Sequence, residues 1–184
     1  MPKRPIVVEP AEVLRMRATD VPDEAITSPA IRELIADMKR TLAAAADGVG
    51  LAAPQVGASV RIFLVSEEAA AIDTTGQGDD LSMHARAPEK NTQWRHEVFI
   101  NPVLKKQSRK KSHMAEGCLS FPGAFGVIPR AEKISLEWYD GEGRKHTRGF
   151  GRFFARVILH ELDHLDGVLI RDRAKKLFGV AHDK

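Results

Sequence analysis

The sequence predicts a single-domain α+β fold, with mixed or antiparallel sheets packed around a central helix that carries an HExxH motif. A length of 184 residues suits one hydrophobic core rather than two. Apolar residues make up 43% and charged residues 29% of the chain, a globular balance. Several strand-like runs are followed by one long helix late in the chain, an order typical of α+β domains. We therefore treat residues 1–184 as one domain.

The first strong element is a helix predicted over residues 29–46. Ser28 is a good N-cap, and Pro29 suits the first helical position. Gly48 or Gly50 is expected to end the helix. Its apolar face follows the i, i+3, i+4 rhythm through Ile31, Leu34, Ile35, Met38 and Leu42.

Three segments have strand patterns. Residues 60–66 form a continuous apolar run, which predicts a buried strand. Residues 97–104 predict another, in which Pro102 indicates a sheet edge or a bulge. Residues 132–139 alternate between apolar and polar positions, and residues 144–149 can return as the second arm of a hairpin.

The long late helix is predicted over about 151–165 and ends at Gly167. A short helical stretch is expected at 11–17, and a short basic segment at 172–179. Residues 67–96 are too long for an ordinary connection and are interpreted as a flexible surface insert. The inner face of the late helix is marked by Phe154, Val157, Ile158, Leu162 and Leu165.

Composition excludes several classes of protein. A net charge of +3 is too small to indicate nucleic-acid binding without a clustered stripe. A single cysteine excludes an internal disulfide framework. No apolar run is long enough to span a membrane, and the N-terminus lacks the pattern of a signal peptide. We therefore expect a cytoplasmic protein.

The sharpest chemical signal is His160-Glu161-Leu162-Asp163-His164 within the late helix. Residues four apart lie on one helix face, so the two imidazoles can bind one cation. Glu161 can then act as base toward a water molecule. The alternative is a chance match in a charged helix, but two histidines and a glutamate among apolar neighbours need a reason to be there.

A catalytic metal usually has three protein ligands and one open position. The position that supplies a third histidine in some HExxH peptidases holds Ile170, and no glutamate follows Glu161. Of the carboxylates just downstream, Asp166 lies too close to return easily to the site. By elimination the third ligand is expected upstream, at Cys118, although a lone cysteine is often only a small buried hydrophobe.

A second signal is the stretch 48–57, which contains three glycines and one proline. Such a backbone can approach another group closely, and Gln55 offers an amide donor. Taken alone, the stretch is better explained as a helix end followed by a loop into the strand at 60–66.

Together these segments closely resemble the peptide deformylases. Three family motifs occur in order: Gly48 to Gln55 (GVGLAAPQ), Glu116 to Ser120 (EGCLS) and His160 to Gly167 (HELDHLDG). The resemblance implies an α+β catalytic domain over 1–184, with the insert at about 67–96. It also implies removal of the N-formyl group from the N-terminal formylmethionine of newly synthesised polypeptides, with release of formate.

The resemblance implies a role for each matching residue. Leu159 departs from the family pattern, because many relatives have glutamine at that position. One divalent metal ion is implied, with Fe(II) as the native metal and Zn(II), Ni(II) or Co(II) as further occupants. The implied site comprises the metal ligands Cys118, His160 and His164, the general acid/base Glu161, the oxyanion donors Gln55 and the Leu119 N–H, and Gly50 beside the substrate.

Methionine specificity requires an apolar pocket. Val49, Leu119, Val157 and the stem of Arg156 are its candidate walls. Asp163 is expected to pair with Arg130 and steady the late helix; the alternative is an Asp163 that faces solvent.

Partners and rival functions follow from the same residues. We expect no membrane partner and no specific nucleic-acid binding. The remaining functional alternatives are another metal-dependent hydrolase, such as an aminopeptidase, and a non-catalytic protein with a structural zinc. A cluster of basic residues can make a transient ribosome contact or form a solvated loop: Lys105, Lys106, Arg109, Lys110 and Lys111.

Overall fold

The computed structural model describes residues 4–74 and 94–179. Its fold is α+β, with two antiparallel sheets and few helices. A five-stranded sheet has the order β1-β2-β3-β6-β7, and a three-stranded sheet has the order β4-β5-β8. The strands are β1 (Gly50–Ala52), β2 (Ile62–Ser66), β3 (His96–Gln107), β4 (Lys111–Cys118), β5 (Phe121–Ala131), β6 (Lys133–Tyr139), β7 (Lys145–Gly151) and β8 (Leu177–Phe178). The α-helices are α1 (Pro29–Ala44), α2 (Glu68–Thr74), α3 (Arg152–Leu165) and α4 (Ile170–Arg173).

Both faces of the five-stranded sheet are covered. Phe63 and Val65 of β2 pack in the cluster that contains α3. Ile62 and Leu64, on the opposite face, pack in the cluster that contains α1. Because side chains alternate across a strand, this two-sided cover explains why β2 is an uninterrupted apolar run.

Helix α1 confirms the predicted start and apolar face. The Ser28 hydroxyl accepts a hydrogen bond from the Ile31 N–H, as an N-cap does. The predicted end is wrong by a few residues. Ala45 already has extended dihedral angles of φ −78° and ψ 124°, so the helix ends before Gly48.

Strand β3 confirms a bulge but not an edge. It pairs with β2 on one side and β6 on the other, and its register with β6 shifts between Ile100 and Val103. Asn101, at the shift, has a φ of 49°. Its side-chain amide pairs with both the N–H and the carbonyl of Val21, which stabilises this unusual backbone.

The predicted hairpin is confirmed by β6 and β7, and the late helix by α3. The predicted insert is partly wrong, because residues 68–74 form α2 with Ala69 fully buried; residues 75–93 lie outside the described residues. The stretch 11–17 contains only a short 3₁₀ turn, Glu12–Leu14. Within the described ranges, no helix has the length and apolarity needed to cross a membrane.

An N-terminal strap, residues 4–18, contacts all three motif segments. The Val7 N–H donates to the Gln55 carbonyl over 2.8 Å, and the Glu9 N–H donates to the Ser120 carbonyl over 3.0 Å. The Ala18 N–H donates to the Leu165 carbonyl over 2.8 Å. The strap therefore ties together segments that are far apart in sequence.

Candidate active site

The end of β4 and the second half of α3 bring three potential ligands together. Cys118, His160 and His164 each offer one ligand atom, and these atoms all lie within 4.8 Å of one another. The Cys118 sulfur is 3.1 Å from Nε2 of His164. Two imidazoles one helical turn apart and a thiol from a neighbouring strand thus converge on one point, as the spacing predicts.

The donor set fits a divalent cation. A thiolate with two imidazoles favours zinc and late first-row metals over magnesium or calcium. Burial disfavours a charged His160, but Cys118 and Glu116 raise its pKa well above the usual value. The pKa of His164 is lowered, by burial and by the neighbouring His160. A divalent cation would displace the proton of His160, because an imidazole ligand binds a metal only in its neutral form.

Glu116 orients His160. Its Oε2 lies 3.0 Å from Nδ1 of the ring, so Nδ1 can donate to the carboxylate and Nε2 is left for the site. The same carboxylate accepts two hydrogen bonds of 2.9 Å from Arg130 and one of 2.6 Å from Arg156. Burial would raise the pKa of Glu116, but His160 and Arg130 lower it strongly, so Glu116 stays ionised.

Arg130 also fastens α3 itself. Its Nη1 donates to Asp163 over 2.5 Å and to the Leu159 carbonyl over 3.3 Å. Asp163 is only 8% exposed and also accepts from Arg173. The predicted Asp163–Arg130 pair is confirmed. The Leu159 side chain packs in the apolar cluster around α3, so a hydrophobic residue is accommodated there.

Glu161 is buried beside Gly50. One of its carboxylate oxygens, Oε2, is buried without a hydrogen-bond partner among the described residues. Burial raises the pKa of Glu161 to about 7. A Cβ on Gly50 would overlap Oε1 of Glu161 and lie 2.9 Å from Cγ1 of Val157, so a larger residue here would have to displace these side chains. A carboxyl group poised near neutrality can both accept and return a proton.

Gln55 lies beside the cysteine. The short 3₁₀ turn Ala53–Val56 places it, and the side chain is 2% exposed. Its Oε1 accepts from the Ala52 N–H over 2.8 Å, and its Nε2 lies 3.2 Å from the Ser120 hydroxyl and 3.8 Å from the Cys118 sulfur. Leu119 directly follows Cys118, so its N–H belongs to the same turn.

The expected pocket walls are only partly brought together. Val49 and Val157 pack in one apolar cluster. Arg156 does not join them: its guanidinium donates to Glu116, Ser112 and the Ile128 carbonyl, and the residue is 2% exposed. Its side chain is therefore committed to β4 and β5 and not to the apolar cluster, which corrects the expectation that it forms a wall.

Sequence reasoning missed two residues of the site and one residue of the apolar cluster that contains Val157. Phe153 packs in the same cluster as Val49, one turn before Val157, and helical spacing could have found it. Glu116 and Ser120 lie inside the EGCLS motif, but their partners are visible only in the structure.

Comparisons with known proteins agree on one family. Residues 3–178 match the polypeptide deformylase family. A peptide deformylase from Roseiflexus sp. (strain RS-1) is 38% identical over 153 residues, which cover 83% of this chain and 77% of that protein. One from Leptospira biflexa is 37% identical over 173 residues, covering 93% and 88%.

Solved structures show the same likeness. The Met-Ala-Ser-bound crystal structure of a class I type b peptide deformylase from Acinetobacter baumannii gives a TM-score of 0.76 at 29% identity, covering 94% of this chain and 98% of that chain. The crystal structure of a peptide deformylase from Thermotoga maritima gives 0.75 at 31% identity, covering 96% and 100%.

Proposed function

This chain belongs to the polypeptide deformylase family, and on that premise we propose which of its residues perform the reaction. It is a metal-dependent hydrolase that removes the N-formyl group from nascent peptides, which sets aside the aminopeptidase and structural-zinc alternatives. One observation carries the assignment of residues: the convergence of Cys118, His160 and His164 within 4.8 Å, on the helix that also carries a buried Glu161.

Cys118, His160 and His164 would hold the metal. A divalent ion there supplies Lewis acidity, which lowers the pKa of water and polarises a carbonyl oxygen. We expect Fe(II) to be the native metal, with Zn(II), Ni(II) or Co(II) as further occupants, since sulfur and imidazole ligands suit all four. Metal analysis of protein purified without oxygen tests this choice; a dominant metal other than iron would contradict it.

Hydrolysis adds water to the formyl carbon and breaks the C–N bond, leaving formate and a free amine. Glu161 accepts the proton of the attacking water and returns it to the departing nitrogen, in keeping with a pKa raised by burial to about 7. The negative charge that develops on the formyl oxygen is stabilised by the Gln55 amide and the Leu119 N–H. One such donor is typically worth about 3 kcal/mol of barrier.

The methionine side chain is proposed to lie against Val49, Val157 and Phe153, which share one apolar cluster. A bulky aromatic residue at position 49 would then fill the space that the methionine side chain occupies. Val49→Phe should raise KM for formylmethionyl peptides more than it lowers kcat. An unchanged KM would remove Val49 from the wall.

The transient ribosome contact remains a proposal for the exposed basic cluster. Lys105 and Lys110 each lie near a carboxylate, Glu137 at 3.9 Å and Glu132 at 3.0 Å, which reduces the positive charge available to RNA. We therefore expect weak binding that decreases as salt is added. This contact would be contradicted if the protein failed to cosediment with ribosomes at low salt, or if cosedimentation did not depend on salt.

Formate release from formyl-Met-Ala-Ser tests the assignment directly. Glu161→Gln keeps the shape of the side chain but cannot take up a proton, so kcat should fall by about 100-fold or more while the metal is retained. Glu142→Gln is the matched control, because Glu142 lies on an exposed turn with its side chain 71% exposed. Unchanged turnover in Glu161→Gln would refute the role of Glu161, and equal release of methionine from Met-Ala-Ser would refute the substrate.

A further inference from the structure

The Gln55 side-chain amide is held in one orientation by two contacts. Its Oε1 accepts from the Ala52 N–H, and one of its two Nε2 hydrogens can be donated to the Ser120 hydroxyl, 3.2 Å away. A flipped amide would place its NH₂ group against the Ala52 N–H, two donors facing each other. The contact with Ser120 therefore leaves one N–H of Gln55 on the side of Cys118.

Ser120 is itself fixed in place. It is completely buried, so its hydroxyl has no access to solvent. Its carbonyl accepts from the Glu9 N–H, and the Gln55 carbonyl accepts from the Val7 N–H of the same strap. Ser120 and Gln55 are thus both bonded to the backbone of the strap, which holds the Ser120 hydroxyl and the Gln55 amide next to each other.

We propose that Ser120 is a positioning residue that aims the Gln55 amide at the formyl oxygen. This rests on the proposed role of Gln55 as an oxyanion donor. Ser120 acts through the amide and not on the substrate. Without its hydroxyl, a buried N–H loses its acceptor, and the amide gains orientations in which neither N–H points into the site.

A double-mutant cycle tests the proposal on the metal-loaded enzyme. Gln55→Leu should lower kcat by about 100-fold, the typical effect of removing one oxyanion donor. Ser120→Ala should lower kcat by about tenfold with little change in KM, because the donor acts mainly in the transition state. The double variant should be no slower than Gln55→Leu, since the serine then has nothing to position.

The outcomes distinguish the proposed role of Gln55 as an oxyanion donor from the positioning role of Ser120. If Gln55→Leu leaves kcat unchanged, the proposed role of Gln55 fails. If Ser120→Ala slows the Gln55→Leu enzyme by a further tenfold, or has no effect alone, the positioning role fails. The control is Ser66→Ala, since Ser66 is also buried and its hydroxyl also accepts one hydrogen bond. A loss of kcat in Ser66→Ala equal to that in Ser120→Ala would also overturn the proposal.

Hydrogen exchange of the unaltered protein tests the proposal without depending on whether a variant folds. The sequence has only four glutamines, so selective ¹⁵N labelling of the zinc-loaded protein gives few side-chain NH₂ signals. The Gln55 hydrogens should exchange with water much more slowly than those of the exposed Gln107. Equally fast exchange would mean that the amide is not held, and would overturn the proposal.

Discussion

Arg130 is the residue whose loss should damage the structure most clearly. It makes four hydrogen bonds, two to Glu116, one to Asp163 and one to the Leu159 carbonyl. Arg130 and Glu116 side chains are each 6% exposed, and that of Asp163 is 11% exposed. Arg130→Met keeps most of the apolar volume but leaves two buried carboxylates short of their shared cation.

The expected loss of stability depends on the partners that each carboxylate keeps in Arg130→Met. Removing one partner of a buried ion pair typically costs about 3–5 kcal/mol. Glu116 would keep Arg156 and His160, and Asp163 would keep Arg173. We therefore expect the lower end of that range, about 3 kcal/mol in the free energy of unfolding.

Urea unfolding of the metal-free protein measures this without the stabilisation that a bound metal adds. Arg148→Met is the matched control. Arg148 also pairs with a carboxylate, Glu97, through two contacts of 3.0 and 2.8 Å, but its side chain is 54% exposed. That pair should be worth at most about 1 kcal/mol. Equal losses in the two variants would refute the argument from burial.

Three further perturbations have defined outcomes. Gly50→Ala should lower kcat by about 100-fold, because its Cβ must displace the Glu161 carboxylate. Gly141→Ala should leave formate release unchanged, because apart from its chain neighbours no atom of the described residues lies within 4 Å of the added Cβ; equal activities of the two variants would refute the steric argument. Burial would raise the pKa of Asp140, but hydrogen bonds led by that with His146 lower it to about 2, below its unfolded value of about 4. The stabilising effect of ionised Asp140, about 1 kcal/mol relative to Asp140→Asn, should therefore be full above pH 4 and disappear as the pH falls through 2; a constant difference in urea unfolding would contradict it. Chelation of the metal should lower the midpoint of thermal unfolding. Zn(II) added at about 100 times its Kd should then raise the free energy of unfolding by about 2.7 kcal/mol; an unchanged midpoint in scanning calorimetry would exclude a metal site that is formed only in the folded state.

The elements that sequence patterns predicted are those whose side chains enter an apolar core. Strand β2 and helices α1 and α3 have such patterns, because each packs against the five-stranded sheet or lies within it. Strand β4 has none. Its Ser112 and Glu116 accept hydrogen bonds from Arg156 instead of packing in a hydrophobic cluster, so no apolar alternation marks the strand.

The candidate site was predictable to a similar depth. Helical spacing placed His160 and His164 on one face, and the single cysteine left few choices for a third ligand. The direction of the Arg156 side chain was not predictable, since it depends on where a distant strand places Glu116. Sequence patterns predict which residues face the interior, but not which buried charged residues pair with each other.

The N-terminal strap also constrains when the enzyme becomes competent during its own synthesis. The segment that contains Val7 leaves the ribosome before the three segments it contacts, but it can complete its bonds only after Gln55, Ser120 and finally Leu165 have emerged. His164, directly before Leu165, appears equally late. An enzyme whose substrates are growing chains therefore stays inactive as a growing chain itself, at least until Leu165 has left the ribosome.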